Sequence, residues 1–213
     1  ARTNSATNTL VINGAVGTFN PIGGVISNIK STSLINLVAD ATGTVFLVAT
    51  NTWASIKATG NTGVAVLADL STVKNTLSDG SASTGDINFV AAAGDVRAQG
   101  IAGSVVGPTF RLLSAGALIL QALNTGNTNS FEGSGGADIY LGTIQASSIL
   151  IQADDDVNIS GTVDGTQGGA TGNIQFQGTN LVASAALTIQ NAVNVELTVT
   201  AITTNGAFTI SDI

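Results

Sequence analysis

The 213-residue chain contains no cysteine, no histidine and no methionine. Without cysteine there is no disulfide bond and no thiolate nucleophile. Without histidine the chain lacks the commonest general base and the nitrogen ligands of zinc sites. Because these absences exclude most enzyme mechanisms, we predict that the protein is not an enzyme, and we assign it no catalytic residue and no cofactor-binding residue.

Charged residues make up only 9% of the chain and aromatic residues only 4%, whereas 44% of the residues are hydrophobic. The core must therefore consist of Val, Ile, Leu and Ala rather than of large rings. No apolar run approaches the roughly 20 residues of a membrane-spanning helix, since polar residues interrupt each run. We expect a folded chain that does not insert into a membrane.

The few charges are unevenly distributed along the chain. All six basic residues lie within the first 111 positions, whereas the rest of the chain holds eight acidic residues and no basic one. Phosphate binding requires clustered Lys and Arg, so nucleic acids and anionic membranes are excluded as partners. The acidic half either attracts cations or acts as a solvated surface that keeps the protein in solution.

The missing methionine also bears on localisation. Because even an initiator methionine is absent, we expect that Ala1 was produced by processing, and removal of a signal peptide accounts for it. This predicts a secreted protein that is extracellular or held at a cell surface.

Alternation of apolar and polar residues dominates the chain, and Gly, Asn and Asp recur as turn residues. We expect a polar N-terminal arm over residues 1–8 and a single β domain over residues 9–213. The predicted strands are Thr9–Asn13, Val25–Ile29, Leu34–Ala39, Thr44–Thr50, Val64–Asp69, Ile87–Ala91, Phe110–Leu113, Ala117–Ala122, Ile139–Ile144, Ile149–Gln152, Val157–Ser160, Asn173–Gln177, Ala186–Gln190, Val193–Val199 and Phe208–Ser211.

Loose internal repeats suggest how these strands are arranged. The segment 43–60 (GTVFLVATNTWASIKATG) is similar to 85–100 (GDINFVAAAGDVRAQG), and 149–161 (ILIQADDDVNISG) follows the same scheme. Residues 189–197 (IQNAVNVEL) repeat its central part, so that Ile-Gln at 151–152 returns at 189–190. Such repeats predict a parallel β-helix, or β-solenoid, in which stacked aliphatic residues fill the interior.

A β-sandwich with strand donation between subunits is the alternative fold. Its hairpins would use the Asp-Gly and Asn-Gly pairs that this chain contains. These pairs lie at 79–80, 164–165, 13–14 and 205–206.

The segments GDINFVAAAGDVRAQG, SGGADIYLGTIQASSILIQADDDVNISGTVDG and GNIQFQGTNLVASAALTIQNA resemble the degenerate repeats of secreted bacterial β-helix adhesins of the filamentous-haemagglutinin type. The resemblance is compositional and covers mainly residues 85–213. It implies a right-handed parallel β-helix, export across the outer membrane and a role as a surface stalk or adhesin. This chain is much shorter than those adhesins, which implies a fragment or a small self-assembling relative.

Two acidic segments are candidates for calcium binding. The run Asp154, Asp155 and Asp156, with Asp164 nearby, supplies the oxygen ligands that Ca²⁺ requires, but it lacks the EF-hand spacing. A solvated corner between strands is the competing interpretation.

The segment 133–141 (GSGGADIYL) nearly matches the calcium-binding nonapeptide G-G-x-G-x-D-x-U-x. In that match Asp138 is the potential ligand and Tyr140 the inward apolar residue. The preceding segment, Asn124–Glu132, keeps Phe131 at the apolar position but has Asn129 in place of Asp. A Gly-rich loop without calcium explains the same residues.

A carbohydrate-active or carbohydrate-binding β-helix is a second functional hypothesis. Such enzymes use paired carboxylates for hydrolysis, or Asp-bound Ca²⁺ with a basic residue for lyase chemistry. Arg97 and Arg111 could face Asp86 and Asp95 on neighbouring coils, and surface ion pairs explain the same residues. Such a protein would have host or surface glycans as partners.

The two termini favour a structural role. The segment 207–213 (AFTISDI) alternates to its last residue, and a strand without a cap offers unpaired backbone groups to a neighbour. We therefore expect an extracellular structural protein whose copies assemble head to tail into a surface filament or an adhesive stalk. A fragment of a larger secreted adhesin would have the same open end.

Overall fold

The structure, a computed structural model, describes residues 2–4, 9–14, 36–41, 44–47, 51–74, 82–102, 105–123, 136–165 and 172–213. Over these residues the chain is all-β and contains three long, almost entirely parallel sheets and one short hairpin. This arrangement is a parallel β-helix, as the sequence predicts. The predicted strand Val25–Ile29 lies outside the described residues.

Each of the three long sheets collects one strand from successive coils. Sheet A contains β1 Arg2–Asn4, β2 Thr9–Gly14, β3 Asn36–Ala41, β6 Ser55–Gly60, β9 Ile87–Ala91, β14 Ala117–Ala122, β17 Ser148–Ala153, β20 Asn173–Gln177 and β23 Asn194–Thr198. Sheet B contains β4 Thr44–Leu47, β7 Gly63–Val66, β10 Asp95–Arg97, β15 Ile139–Leu141, β18 Asp156–Ile159, β21 Asn180–Ala183 and β24 Ala201–Thr204. Sheet C contains β5 Asn51–Trp53, β8 Leu70–Thr72, β13 Leu112–Leu113, β16 Ile144–Gln145, β19 Gly161–Asp164, β22 Leu187–Gln190 and β25 Phe208–Ser211.

The chain visits sheets A, B and C in turn and then begins the next coil. Coil length varies: the equivalent residues Gln121 and Gln152 are 31 positions apart, whereas Gln175 and Glu196 are only 21 apart. Coils of different length therefore keep the same strand register.

The core is built from columns of inward side chains, one from each coil. In sheet A one such column contains Phe89, Leu120, Ile151 and Phe176 in register. None of the four has measurable exposure, and they belong to one continuous hydrophobic cluster. Because strands present alternate side chains to opposite faces, the same register leaves the outward positions for polar residues.

The Asn-Gly pair at 205–206 forms a corner of the coil rather than a hairpin. Asn205 and Gly206 lie between β24 of sheet B and β25 of sheet C, which do not pair with each other. The hairpin interpretation of this Asn-Gly pair, and with it the β-sandwich alternative, is wrong.

Some of the similar sequence segments occupy different sheets of the coil, so they are not structurally equivalent repeats. Segment 43–60 begins in sheet B, whereas segment 85–100 begins with a strand of sheet A. The pair Ile-Gln at 151–152 lies in sheet A, whereas its copy at 189–190 lies in sheet C. All three sheets use the same alternating pattern, so sequence similarity alone did not identify the sheet.

Two elements depart from the parallel coil. Within the polar arm, β1 pairs antiparallel with β2 at the edge of sheet A. The strands β11 Gln99–Ala102 and β12 Val105–Thr109 form an antiparallel hairpin that leaves the coil after β10 and packs against β7. The hairpin is an insertion that the sequence analysis did not predict.

A search of the described residues for a helix of the length and hydropathy needed to cross a membrane finds none.

The stacked core predicts a difference between two identical substitutions in one column. Leu120 is enclosed by the coils on both sides, and its replacement by Ala should lower the free energy of unfolding by about 2–5 kcal/mol. Leu197 occupies the same column in the terminal coil and packs on one side only, so Leu197→Ala should cost roughly half as much. Urea unfolding at low protein concentration measures both losses, and equal losses would contradict the proposed exposure of the terminal coil.

Candidate functional site

An acidic column runs along the corner where each coil enters sheet B. Asp95, Asp138, Asp156 and Asn180 occupy equivalent positions in four successive coils. They project on the face opposite to the core, since the next residue in each coil is an inward aliphatic one. Three of the four are candidates from the sequence, but their common column is evident only from the strand register.

Hydrogen bonds connect each member of the column to the next coil. Asp138 donates its backbone N–H to Asp95 Oδ1 over 3.1 Å, and Asp156 donates its own to Asp138 Oδ1 over 2.9 Å. The Asn180 side-chain amide donates to Asp156 Oδ1 over 2.8 Å. The carboxylates thus satisfy polar groups at the corner and fix the register between coils.

A cation and an aromatic ring lie beside this column on β10 and β15. Arg97 Nη2 donates to Asp95 Oδ2 over 2.5 Å, and the Arg97 guanidinium lies 4.7 Å from the centroid of the Tyr140 ring. Tyr140 in turn donates its hydroxyl to Asp138 Oδ2 over 2.9 Å. The ion pair, the ring of Tyr140 and its hydroxyl group therefore form one connected network across two coils.

The predicted orientation of Tyr140 is wrong. It was expected to be the inward apolar residue of the nonapeptide, but Ile139 and Leu141 occupy the core and Tyr140 lies on the opposite face. It is nevertheless only 6% exposed. A phenol with a hydroxyl partner and a cation over its ring is stable outside the aliphatic core.

Asp138 is the most deeply buried acid of the column, with 2% exposure. Burial raises the pKa of its carboxyl, and the hydrogen bonds from the Asp156 N–H and the Tyr140 hydroxyl oppose that rise. Asp95 and Asp155 raise the pKa further by repulsion. The two hydrogen bonds therefore offset part of the cost of burying the charged form of Asp138.

Asp154 and Asp155 form the turn between β17 and β18. Gly136 gives Asp155 its space, because a Cβ at that glycine would lie 2.1 Å from the Asp155 Cβ. Burial and the neighbouring Asp156 raise the pKa of the Asp155 carboxyl. The turn therefore brings acidic groups closer together than is favourable for their ionised forms.

The calcium candidates do not form a single group. Asp138, Asp155 and Asp156 lie near the same corner, whereas Asp164 ends β19 in sheet C and accepts hydrogen bonds from Gln190 and Asn191 over 2.9 and 3.2 Å. In the part of the chain that the structure describes, no three acidic side chains are arranged to hold a metal ion. Asn129 and Phe131 lie outside the described residues, and calcium binding stays a prediction from sequence.

Of the two arginines considered for lyase chemistry, Arg97 has side-chain partners and Arg111 has a backbone contact. Arg97 pairs with Asp95 on its own strand. Asp86 Oδ1 accepts the Ala117 N–H over 2.8 Å, and the backbone N–H of Arg111 donates to Asp69 Oδ1 over 2.8 Å. Asp86 and Asp69 therefore connect neighbouring coils through backbone N–H groups. A contact between Arg111 and Asp86 is not among the described hydrogen bonds.

The terminal coil, residues 194–213, is the second candidate site. Its strands β23, β24 and β25 are the edge strands of sheets A, B and C at the same end of the stack. Ile202 and Ile210 are 43% and 42% exposed, although the residues that precede them in their columns, Leu181 and Ile189, are fully buried. This end of the solenoid therefore presents unpaired backbone and core side chains together.

No family model, no curated protein and no solved structure matches this chain.

Removing the Asp138 carboxylate should destabilise the corner. Asp138→Ala leaves the Asp156 N–H and the Tyr140 hydroxyl without their acceptor and should lower the free energy of unfolding by about 1–3 kcal/mol. Asp138→Asn keeps an acceptor oxygen and should cost less, since the column already contains an amide at Asn180. Chemical denaturation of both variants checks this order, and an equal cost would show that the hydrogen bonds do not carry the effect.

The raised pKa of Asp155 predicts a pH-dependent gain. A carboxyl whose pKa is raised in the folded state favours folding below its unfolded pKa, and this contribution is lost as the pH rises through the folded value. Asp155→Asn should therefore stabilise the protein at pH 7, by at most about 1 kcal/mol, and the gain should vanish at pH 3. Melting temperatures across this range test it, with Asp40→Asn as an exposed control that removes the same charge elsewhere.

Proposed function

We propose that the protein is an extracellular structural subunit that assembles head to tail into a surface filament or an adhesive stalk. The observation that carries this proposal is the register of the stack, in which coils bond to one another through three parallel sheets as far as the terminal coil at one end of the described stack. The occupant we propose for this end is a second copy of the chain.

The architecture supports a mechanical role. Eight parallel strands of sheet A stack at about 4.8 Å per coil, which gives a rod of roughly 35 Å per subunit. From the coil of β3, β4 and β5 onward, each described coil is bonded to the next through three sheets. Side-chain bonds such as Gln121 to Gln152 add to the backbone bonds on the outer faces. Further coils from a second copy would extend the rod without a new kind of contact.

The residues at the edge of the terminal coil favour another β-coil, rather than a small ligand, as the partner at this end. Val195, Leu197 and Phe208 remain only partly buried against the coil below them. Burying such side chains stabilises an interface by roughly 25 cal/mol per Å² of apolar area. At the same time the open backbone groups of three strands need partners of matched spacing, which another coil supplies.

Charge is compatible with head-to-tail contact. The basic residues all lie in the first 111 positions, and the later part of the chain is acidic. Pairing the end of one copy with the beginning of the next avoids contact between two acidic ends. The resemblance to β-helix adhesins supports the same role, and a carbohydrate-active β-helix remains the alternative.

Electron microscopy over a concentration series tests the assembly. We expect filaments that lengthen with protein concentration, and we expect Ile210→Lys to abolish them, because it places a charge on the open apolar end. Thr209→Lys is the matched control, since it adds the same charge on the adjacent outward position of β25. A chelator in a parallel series tests whether calcium contributes.

Two results would overturn the proposal. Monodisperse particles at every concentration would show that copies do not associate through this end, and a stalk fragment of a larger adhesin would then be favoured. Equal loss of filaments in both lysine variants would show that added charge, rather than the terminal coil, controls association.

A further inference from the structure

A cleft of about 130 Å³ opens on the outer face of sheet B, away from the terminal coil. Thr44 and Phe46 of β4 form one wall, and Asp95 and Arg97 of β10 form the other. The hairpin of β11 and β12 packs against β7 next to it. A cavity of about 150 Å³ on the same measure holds one benzene-sized ring, so this open cleft suits a single six-membered ring rather than a long chain.

The cleft exists because the outward positions of one strand, β7, carry very small side chains or none. On β7 the two outward positions are Gly63 and Ala65, and they align with Thr44 and Phe46 on one side. On the other side they align with Asp95 and Arg97. Large walls two coil spacings apart, roughly 10 Å, therefore face each other over a floor with almost no side-chain volume.

The walls differ in chemistry. Phe46 contributes an apolar ring that is only partly buried. The hydroxyls of Thr44 and Thr62 lie 3.0 Å apart at the rim, and each can donate and accept. The opposite wall is polar and fixed, since Arg97 is held between the Asp95 carboxylate and the Tyr140 ring.

We propose that this cleft binds one neutral pyranose ring of a glycan. A pyranose has apolar C–H groups on its faces for the Phe46 ring and hydroxyls around its edge for the threonines and the charged wall. Asp95 neutralises the guanidinium inside the cleft, and the protein carries a net charge of −7. An acidic sugar would therefore meet no net positive charge on the residues that line the cleft.

Saturation-transfer difference NMR with four methyl glycosides tests this proposal. The probes are the methyl glycosides of glucose, mannose and galactose, and methyl glucuronide as the acidic comparison. At least one neutral glycoside should bind with a dissociation constant of about 1 mM, and the glucuronide should bind at least tenfold more weakly. Running the series on the Ile210→Lys variant as well keeps the result independent of self-assembly.

Two variants identify the cleft as the binding site. Ala65→Val fills the floor with a residue that suits a strand, and it should weaken binding at least tenfold. Thr203→Val is the control, because it places the same side chain in the same outward column at the far end of sheet B. If Ala65→Val does not fold, Phe46→Ala removes the apolar wall and should produce the same loss.

The proposal would be overturned by any of three results. These are the absence of transfer to every neutral glycoside at about 10 mM, tighter binding of the glucuronide, or unchanged binding in the folded Ala65→Val and Phe46→Ala variants. The first result would not affect the assembly proposal, which depends on the other end of the solenoid.

Discussion

Register between adjacent coils is the constraint on which the rest of the structure depends. Once backbone hydrogen bonds fix each strand at about 4.8 Å from the next, every side chain lies directly above an equivalent one, and inward columns must be filled by residues that stack on themselves. This explains a core of Val, Ile, Leu and Ala with two Phe in one sheet A column, and the almost complete absence of charge inside. It also explains the tolerance for loops, because coils of 21 and 31 residues keep the same register.

The acidic corner applies the same constraint to polar groups. A carboxylate at the entrance to sheet B accepts a hydrogen bond from the coil above it, so Asp95, Asp138 and Asp156 each fix the next step of the column. Stacked carboxylates repel one another, and the raised pKa of the Asp138 carboxyl reflects burial together with that repulsion. The chain offsets the cost locally, with Arg97 beside Asp95, the Tyr140 hydroxyl on Asp138 and an amide at Asn180.

Alternation and turn residues predicted several strands with their observed bounds, such as Ala117–Ala122 and Asn173–Gln177, and the loose repeats favoured the β-helix over the β-sandwich. They were insufficient to assign strands to sheets, since an alternating segment fits any of the three, and Ile-Gln recurs in both sheet A and sheet C. Tyr140 shows the same limit at a single residue. Its position in the motif predicted the core, whereas the register with Arg97 placed it on the outer face. Short strands such as β10 were not predicted because three residues carry no measurable period.

In a solenoid each coil contacts only its neighbours, so one coil can change its outward residues without disturbing the rest. The pair Gly63 and Ala65 is such a local change, and it creates space on the outer face without altering Val64 and Val66 in the core. The terminal coil differs from the cleft because its partly exposed residues, such as Ile202 and Ile210 at 43% and 42%, occupy inward columns. The cleft therefore depends on outward residues of one coil, whereas the proposed assembly contact depends on inward residues of another. For this reason substitutions should alter the proposed glycan site and the proposed assembly contact independently.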